Sequence, residues 1–307
     1  MIKLILPTVA LMLVYMSIGF TLCKVKKAVV SHAKSLSAIL IYVLGPMMII
    51  NSFLGLEYST DNLIKIGTYF IVSLCVQVLF FGILYVIFRK KYNDSKYRIL
   101  SVGSVLGNVG FIGMPILASV FPDTPIVLVY SSINVMSMNL IVFTIGTYMI
   151  TNDKRYVTFK NAILNPTTLA IIVAMPLFIF KVDFPEFADD AIGLLGKMVT
   201  PFCMFILGMR LSEASFVKIF TRPFVYITCA LKLLVFPAFA FLIVHWIPFL
   251  DDVLKGAIVV LAMTPSGAII ESLAELHECE QDFAANVVLL TTILSVITIP
   301  LMAMLFV

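Results

Sequence analysis

The chain reads as apolar blocks of about twenty residues divided by short polar punctuation. The blocks run roughly 3–22, 36–54, 62–88, 97–120, 125–150, 166–180, 187–211, 223–246, 252–275 and 283–305. A helix needs about 20 apolar residues to cross the roughly 30 Å hydrocarbon core of a bilayer. The pattern therefore predicts an all-α polytopic membrane protein of ten spans. The connections GLEYSTDN (55–62), FPDTP (121–125) and KVDFPEF (181–187) carry turn residues and are too short for a soluble domain. The sixth block is the shortest and starts at Pro166, so it is expected to tilt least or to lie partly at the interface.

Composition agrees and narrows the function classes. Hydrophobic residues make up 61% of the 307 and charged residues 12%, against about 45–50% and 25% for soluble domains. The net charge of +4 is scattered over short loops, which is no footprint for nucleic acid. The five cysteines (Cys23, Cys75, Cys203, Cys229, Cys279) have neither metal nor disulfide spacing and read as small buried apolar side chains. At the N-terminus Lys3 precedes an apolar run and the lysine cluster follows it, the reverse of a cleavable signal, so residues 1–22 are expected to be a retained span.

Charge also orients the bundle. Alternate loops hold Lys24, Lys26, Lys27 and Lys34, then Arg89, Lys90, Lys91, Lys96 and Arg98, then Lys154, Arg155 and Lys160, then Arg210, Lys218 and Arg222; these are 15 of the 21 cations. The opposite loops offer Lys65, Lys181 and Lys255 and carry Glu57, Asp61, Asp123, Asp183 and Asp251. Basic loops stay in the cytoplasm, which predicts a cell (plasma or inner) membrane protein with both termini outside. The acidic segment around HECEQDF falls inside on this count, which acidic residues scarcely oppose.

Ten spans cut at 150–165 give five and five, the arithmetic of an inverted repeat covering 1–155 and 156–307. Gly and Pro interruptions recur in register. Pro46 in LGPMMII has a counterpart in Pro201 of VTPFCMFI, and Pro115 of VLGNVGFIGMPI one in Pro265 of AMTPSG, at offsets of 155 and 150. Matched interruptions in two halves point to a transporter's binding site. Spans four and nine are expected to be broken; Pro7, Pro176 and Pro237 read as simple kinks. The glycines also suit close helix packing.

A break of this kind presents helix N-termini, with unpaired N–H groups and a positive dipole end, to an anion. Residues 107–115 and 264–267 are the best binding elements on this reasoning. They supply Asn108, Gly110, Gly113 and Pro115 from one span, and Thr264, Pro265, Ser266 and Gly267 from the other. Asn51, which could face the site from span two or bond at the outer interface, and Asn134 are further candidates. Asn139, Ser73 and Gln77 suit helix joining as readily. Charges inside a membrane are costly and usually functional, so Lys232 and Glu271 are candidates for coupling or for internal ion pairs; Lys197 lies near the middle of the seventh block, and a small shift of its limits would bring it nearer the surface. His32, His245 and His277 carry no evident role, and no metal triad or nucleophile–base pair occurs.

Several stretches, taken in order, resemble one family. GNVGFIGMPIL (107–117), NPTTLAIIVAMPLF (165–178), MTPSGAIIESLAELHECEQDFAANVV (263–288) and LTTILSVITIPLM (290–302) are similar to the motifs of the auxin efflux carrier, or malate permease-like, family in its compact bacterial form. The resemblance covers essentially the whole chain. It implies ten helices in two inverted five-helix repeats with broken crossover helices four and nine, an architecture like that of the sodium/bile acid symporters and NhaA. It implies a scaffold of 1–54 plus 166–211 and a mobile crossover domain of 62–150 plus 223–307, moving as an elevator. It also places Asn108, Pro115 and Pro265 at positions associated with substrate in the family. The implied cargo is a small organic anion, either an auxin-like monocarboxylate or a malate- or malonate-like dicarboxylate, with proton or sodium coupling or none. A homodimer through the scaffold helices is a further expectation; no cofactor is expected. The rival classes are a membrane sensor that binds without turnover and an intramembrane enzyme, for which the histidines and cysteines are badly placed.

Overall fold

The computed structural model describes residues 2–213 and 223–306; Lys218 and Arg222 of the orienting charge set lie outside them. Among the described residues the main elements are helices, in the order α1 (Ile2–Lys24), α2 (His32–Leu54), α3 (Thr60–Phe88), α4 (Ser95–Val105), α5 (Val109–Val120), α6 (Ile126–Thr151), α7 (Phe159–Ile163), α8 (Pro166–Ile179), α9 (Glu186–Glu213), α10 (Pro223–His245), α11 (Asp252–Ala262), α12 (Ile269–Leu276) and α13 (Gln281–Phe306). Seven of these helices are long and apolar enough to cross a membrane. The sequence pattern predicts ten crossings, and the difference has a local cause. Blocks four and nine are each divided in two, and block six contributes only the 14 residues of α8, about 21 Å of helix.

Side-chain caps set several of the helix starts. Ser59 accepts from the Asn62 N–H, Asp94 from Lys96, Asn165 from Thr167 and Asp251 from Leu254, each satisfying a donor that the first turn leaves open. Prolines then shape the interiors. Pro46, Pro115 and Pro237 each follow a single widened π turn, at Leu40–Leu44, Val109–Gly113 and Leu231–Val235. A proline ring clashes with the carbonyl four residues back and offers no N–H, so the preceding turn opens by one residue. A fourth π turn, Val142–Gly146, has another origin. The hydroxyls of Thr144 and Thr147 bond to the carbonyls of Leu140 and Val142 there.

Packing divides the helices into neighbours. α1 lies along the second half of α9, and α2 lies against α8 and the first half of α9. The α1–α9 contact is backbone on backbone. A Cβ at Gly19 would strike Phe205, and one at Gly208 would strike the Met16 carbonyl. α3 packs on α6, α10 on α11, and α13 on α10 and α12. Serines tie helix pairs together, with Ser52 against Ser132 at 3.1 Å and Ser73 against Ser137 at 3.3 Å. The outer surfaces of α1 and α3 expose Leu6, Leu11, Ile71 and Val86, as suits helices that meet lipid. Trp246 and Phe249 are about four-fifths exposed just after α10, an interfacial position for aromatics. By contrast, every residue from Ile99 to Gly110 is buried, so the core sits at the break.

Candidate functional site

The two breaks meet. The Asn108 N–H donates to the Pro265 carbonyl at 2.7 Å, and the Gly267 N–H donates to Leu106 at 3.0 Å, forming an antiparallel bridge of Gly107 with Ser266. Glycine is required for this approach. A Cβ on Gly267 would stand 3.0 Å from the Gly107 carbonyl oxygen, and one on Gly107 would strike the Thr264 hydroxyl. Four helix ends therefore converge: the C-termini of α4 and α11 and the N-termini of α5 and α12.

The C-terminal ends are closed by Lys232. This side chain is fully buried, and its ammonium donates to the carbonyls of Val105 and Ala262, both at 3.2 Å. Those are the last residues of α4 and α11, where orphan carbonyls and the negative dipole end are concentrated. The Phe236 ring lies 4.6 Å away, at cation–π distance. An ammonium without partners would be costly to bury; here two helix termini and an aromatic face take the place of water. Beside it lies a cavity of about 20 Å³ whose wall includes Ser73, Gln77, Asn134 and Lys232, room for about one water. Gln77 donates to Ser137 at 3.0 Å and Tyr69 to Asn134 at 3.3 Å.

The N-terminal ends open differently. They face a groove of about 200 Å³ lined by Gly107, Asn108, Val109, Gly110 and Phe111 from one break, and by Gly267, Ala268 and Ile269 from the other. First-turn residues of α5 and α12 lie along this wall; the Asn108 and Gly267 N–H groups before them are bonded across the break, and a helix leaves the next N–H groups without internal partners. Cys203 of α9 lines the groove as well. Across the groove stand Leu40, Met48 and Ile49 of α2, Val135 and Met138 of α6, and Ile206 and Leu207 of α9. Asn139, Asn165 and Thr167 form a polar corner, with Asn139 donating to Thr167 at 2.8 Å. At the end nearest the C-terminus of α9, Arg210 lines the wall and pairs with Glu271. The chemistry on offer is a mainly apolar slot with amide, backbone N–H and guanidinium donors at its polar points.

The sequence-predicted residues sort into groups. Asn108, Gly110 and Gly267 line the groove. Thr264, Pro265 and Ser266 are at the break but turned to internal work. Thr264 donates to Leu261, Ser266 donates its hydroxyl to Gly103 and its N–H to the Thr291 hydroxyl oxygen, and Pro265 offers its carbonyl to Asn108. Gly113 packs against Leu261 and Thr264, and Pro115 sits in the turn after the π bulge. Asn134 belongs to the Lys232 side. Asn51 lies beside Gly193 and Gly196 of α9, off the groove wall. Lys232 bonds the carbonyls of the two helix ends, and Glu271 pairs with Arg210. Lys197 is exposed. Sequence reasoning missed Arg210, counted only as an orienting cation, and Cys203, counted as packing. An arginine in the last turn of a span, 61 residues before an in-span glutamate, is the available signal.

Comparison with known proteins identifies the family. A curated relative, the uncharacterised transporter MJ1031 of Methanocaldococcus jannaschii, is 25% identical over 277 residues, covering 88% of each chain. The family model described as Membrane transport protein matches residues 4–303, nearly the whole described fold. The family is one of transporters rather than enzymes, and its members sit in the lipid bilayer. An all-helical chain with lipid-facing helices and a groove at two joined breaks thus belongs to the Membrane transport protein family, that of the auxin efflux carriers.

Proposed function

We propose that the protein is a secondary carrier of small organic anions that binds its cargo in the groove beside the two breaks. The observation that carries this reading is the asymmetry of the convergence. Lys232 occupies the negative helix ends, while the positive ends at Asn108–Gly110 and Gly267–Ile269 face the groove. An organic acid would set its carboxylate against those donors and its carbon body against Met48, Val135 and Leu207. The slot admits an auxin-like monocarboxylate or a short dicarboxylate.

On this reading the broken blocks four and nine and the short block six each count as one crossing, giving ten in two inverted repeats, 1–155 and 156–307. The mutual packing of α1, α2, α8 and α9 supports a scaffold of 1–54 plus 166–211. The remaining helices, 62–150 and 223–307, would carry the site in an elevator movement. Arg210 would lie toward the cytoplasm, both termini outside, and the groove would open inward. Uptake by the purified protein in liposomes tests the reading, across mono- and dicarboxylates such as benzoate, malonate and malate, with and without a pH gradient. Saturable flux of at least one acid is expected, and acceleration by the gradient would assign proton coupling. Binding without flux would favour a sensor, and no binding or flux under any gradient would overturn the proposal.

A further inference from the structure

Arg210 stands out on the groove wall. Among the described residues it is the one lysine or arginine lining the groove. Its Nη1 lies 2.5 Å from Glu271 Oε2, with the two side chains 24% and 16% exposed. The partners belong to different surroundings. Arg210 is in the last turn of α9, which is fastened to α1 by the Gly19 and Gly208 approaches. Glu271 is in the first turn of the eight-residue α12, which starts just past the second break. Glu271 is itself off the groove wall, whereas its neighbours Ile269 and Ser272 are on it.

The pair is therefore unequal. A carboxylate in the first turn of a helix is also held by the helix's positive end, so Glu271 keeps a stabilising partner if the guanidinium turns away. The guanidinium then faces the groove with its planar fork unpaired, a geometry that matches a carboxylate with two parallel hydrogen bonds. We propose that Arg210 is the residue that docks the cargo's carboxylate at the mouth of the groove, exchanging Glu271 for the incoming anion. The assignment rests on the organic-anion reading above and adds to it a residue and an order of events. Exchange also unties α12 from α9, so anion entry releases one wall of the groove. A ligand without an anionic group leaves the pair closed.

The test needs no transport substrate. Ser272 is exposed on the groove wall. A Ser272→Cys reporter is placed in full-length protein in liposomes, with Cys23, Cys75, Cys203, Cys229 and Cys279 changed to alanine. Its modification rate is measured with the anionic reagent sulfonatoethyl methanethiosulfonate and with neutral methyl methanethiosulfonate. Glu271→Gln is expected to raise the anionic-to-neutral rate ratio about tenfold by freeing the guanidinium. Arg210→Gln should lower the ratio below the parent's, and Arg210→Lys should fall between. The double swap Arg210→Glu with Glu271→Arg rebuilds an ion pair but moves the cation off the wall. It should recover the parent's melting temperature and keep the low ratio. A swap that restores the ratio, or a Glu271→Gln ratio equal to the parent's, reduces the pair to a structural tie and overturns the proposal. Flux in the liposome panel with unmoved ratios would reject Arg210 alone. Moved ratios without flux would reject the carrier reading alone.

Discussion

The two sides of the joined breaks are built from the same pair of interrupted helices yet are finished in opposite ways. On one side the carbonyl ends at Val105 and Ala262 meet a buried ammonium, an aromatic ring and a cavity of about one water. On the other, the N–H ends meet Asn108 and an open groove of about 200 Å³. Breaking a helix in a membrane exposes donors and acceptors in equal number, and each must find a partner. Here Lys232 satisfies the last carbonyls, at Val105 and Ala262, and the opposite break satisfies the Asn108 and Gly267 N–H groups; on the proposed reading the next N–H groups of α5 and α12 are left for the cargo. On that proposed reading a break thus becomes a one-signed site, structural on its negative side and open to the cargo on its positive side.

Substitutions can break this contrast, in decreasing order of effect. Lys232→Met should be the most damaging, since it removes the donor from two buried carbonyls at about 1–3 kcal/mol each. A large drop in melting temperature and in monodisperse yield is the expected result, and an unchanged melting temperature would show that the acceptors have other partners. Gly107→Ala comes next. The added Cβ meets the Thr264 hydroxyl and lies 3.0 Å from the Lys232 ammonium; overpacking of this kind costs about 1–3 kcal/mol. Asn108→Ala moves the comparison to the open side. It should weaken carboxylate binding by roughly tenfold or more, the worth of a hydrogen bond to a charged group, with little change in melting temperature. Ser266→Ala should do the reverse, costing about 1 kcal/mol through the lost bond to Gly103 and leaving affinity alone. Asn51→Ala should be quietest, with binding unchanged in a titration.

Much of this contrast can be read from residue order. The glycine and proline spacing of VLGNVGFIGMPI and AMTPSG places both breaks, because backbone that cannot remain helical announces itself in composition. The helix limits follow from the apolar blocks, as at Pro223–His245. Side-chain direction at a break is not legible in the same way. Thr264 and Ser266 flank a proline outside any helical period, so nothing in their spacing says that their hydroxyls turn to Leu261 and Gly103. Asn51 is a related case, since it lies where α2 packs on Gly193 and Gly196 of α9, a contact that no spacing in α2 marks. Lys232 is conspicuous as an in-span charge, but its partners are carbonyls, which every residue has and no pattern marks. Arg210 is hidden because a cation near a helix end has a ready topological explanation.

The central claim is that the open side of the breaks holds the anion and that Asn108 contacts it. The most direct measurement is carboxylate uptake by Asn108→Ala in liposomes, paired with its melting temperature. The account predicts that flux falls at least tenfold, the loss expected for a bond to a charged group, while the melting temperature stays at the parent's. Parent-like flux, or a loss of flux that only tracks a lower melting temperature, would contradict it.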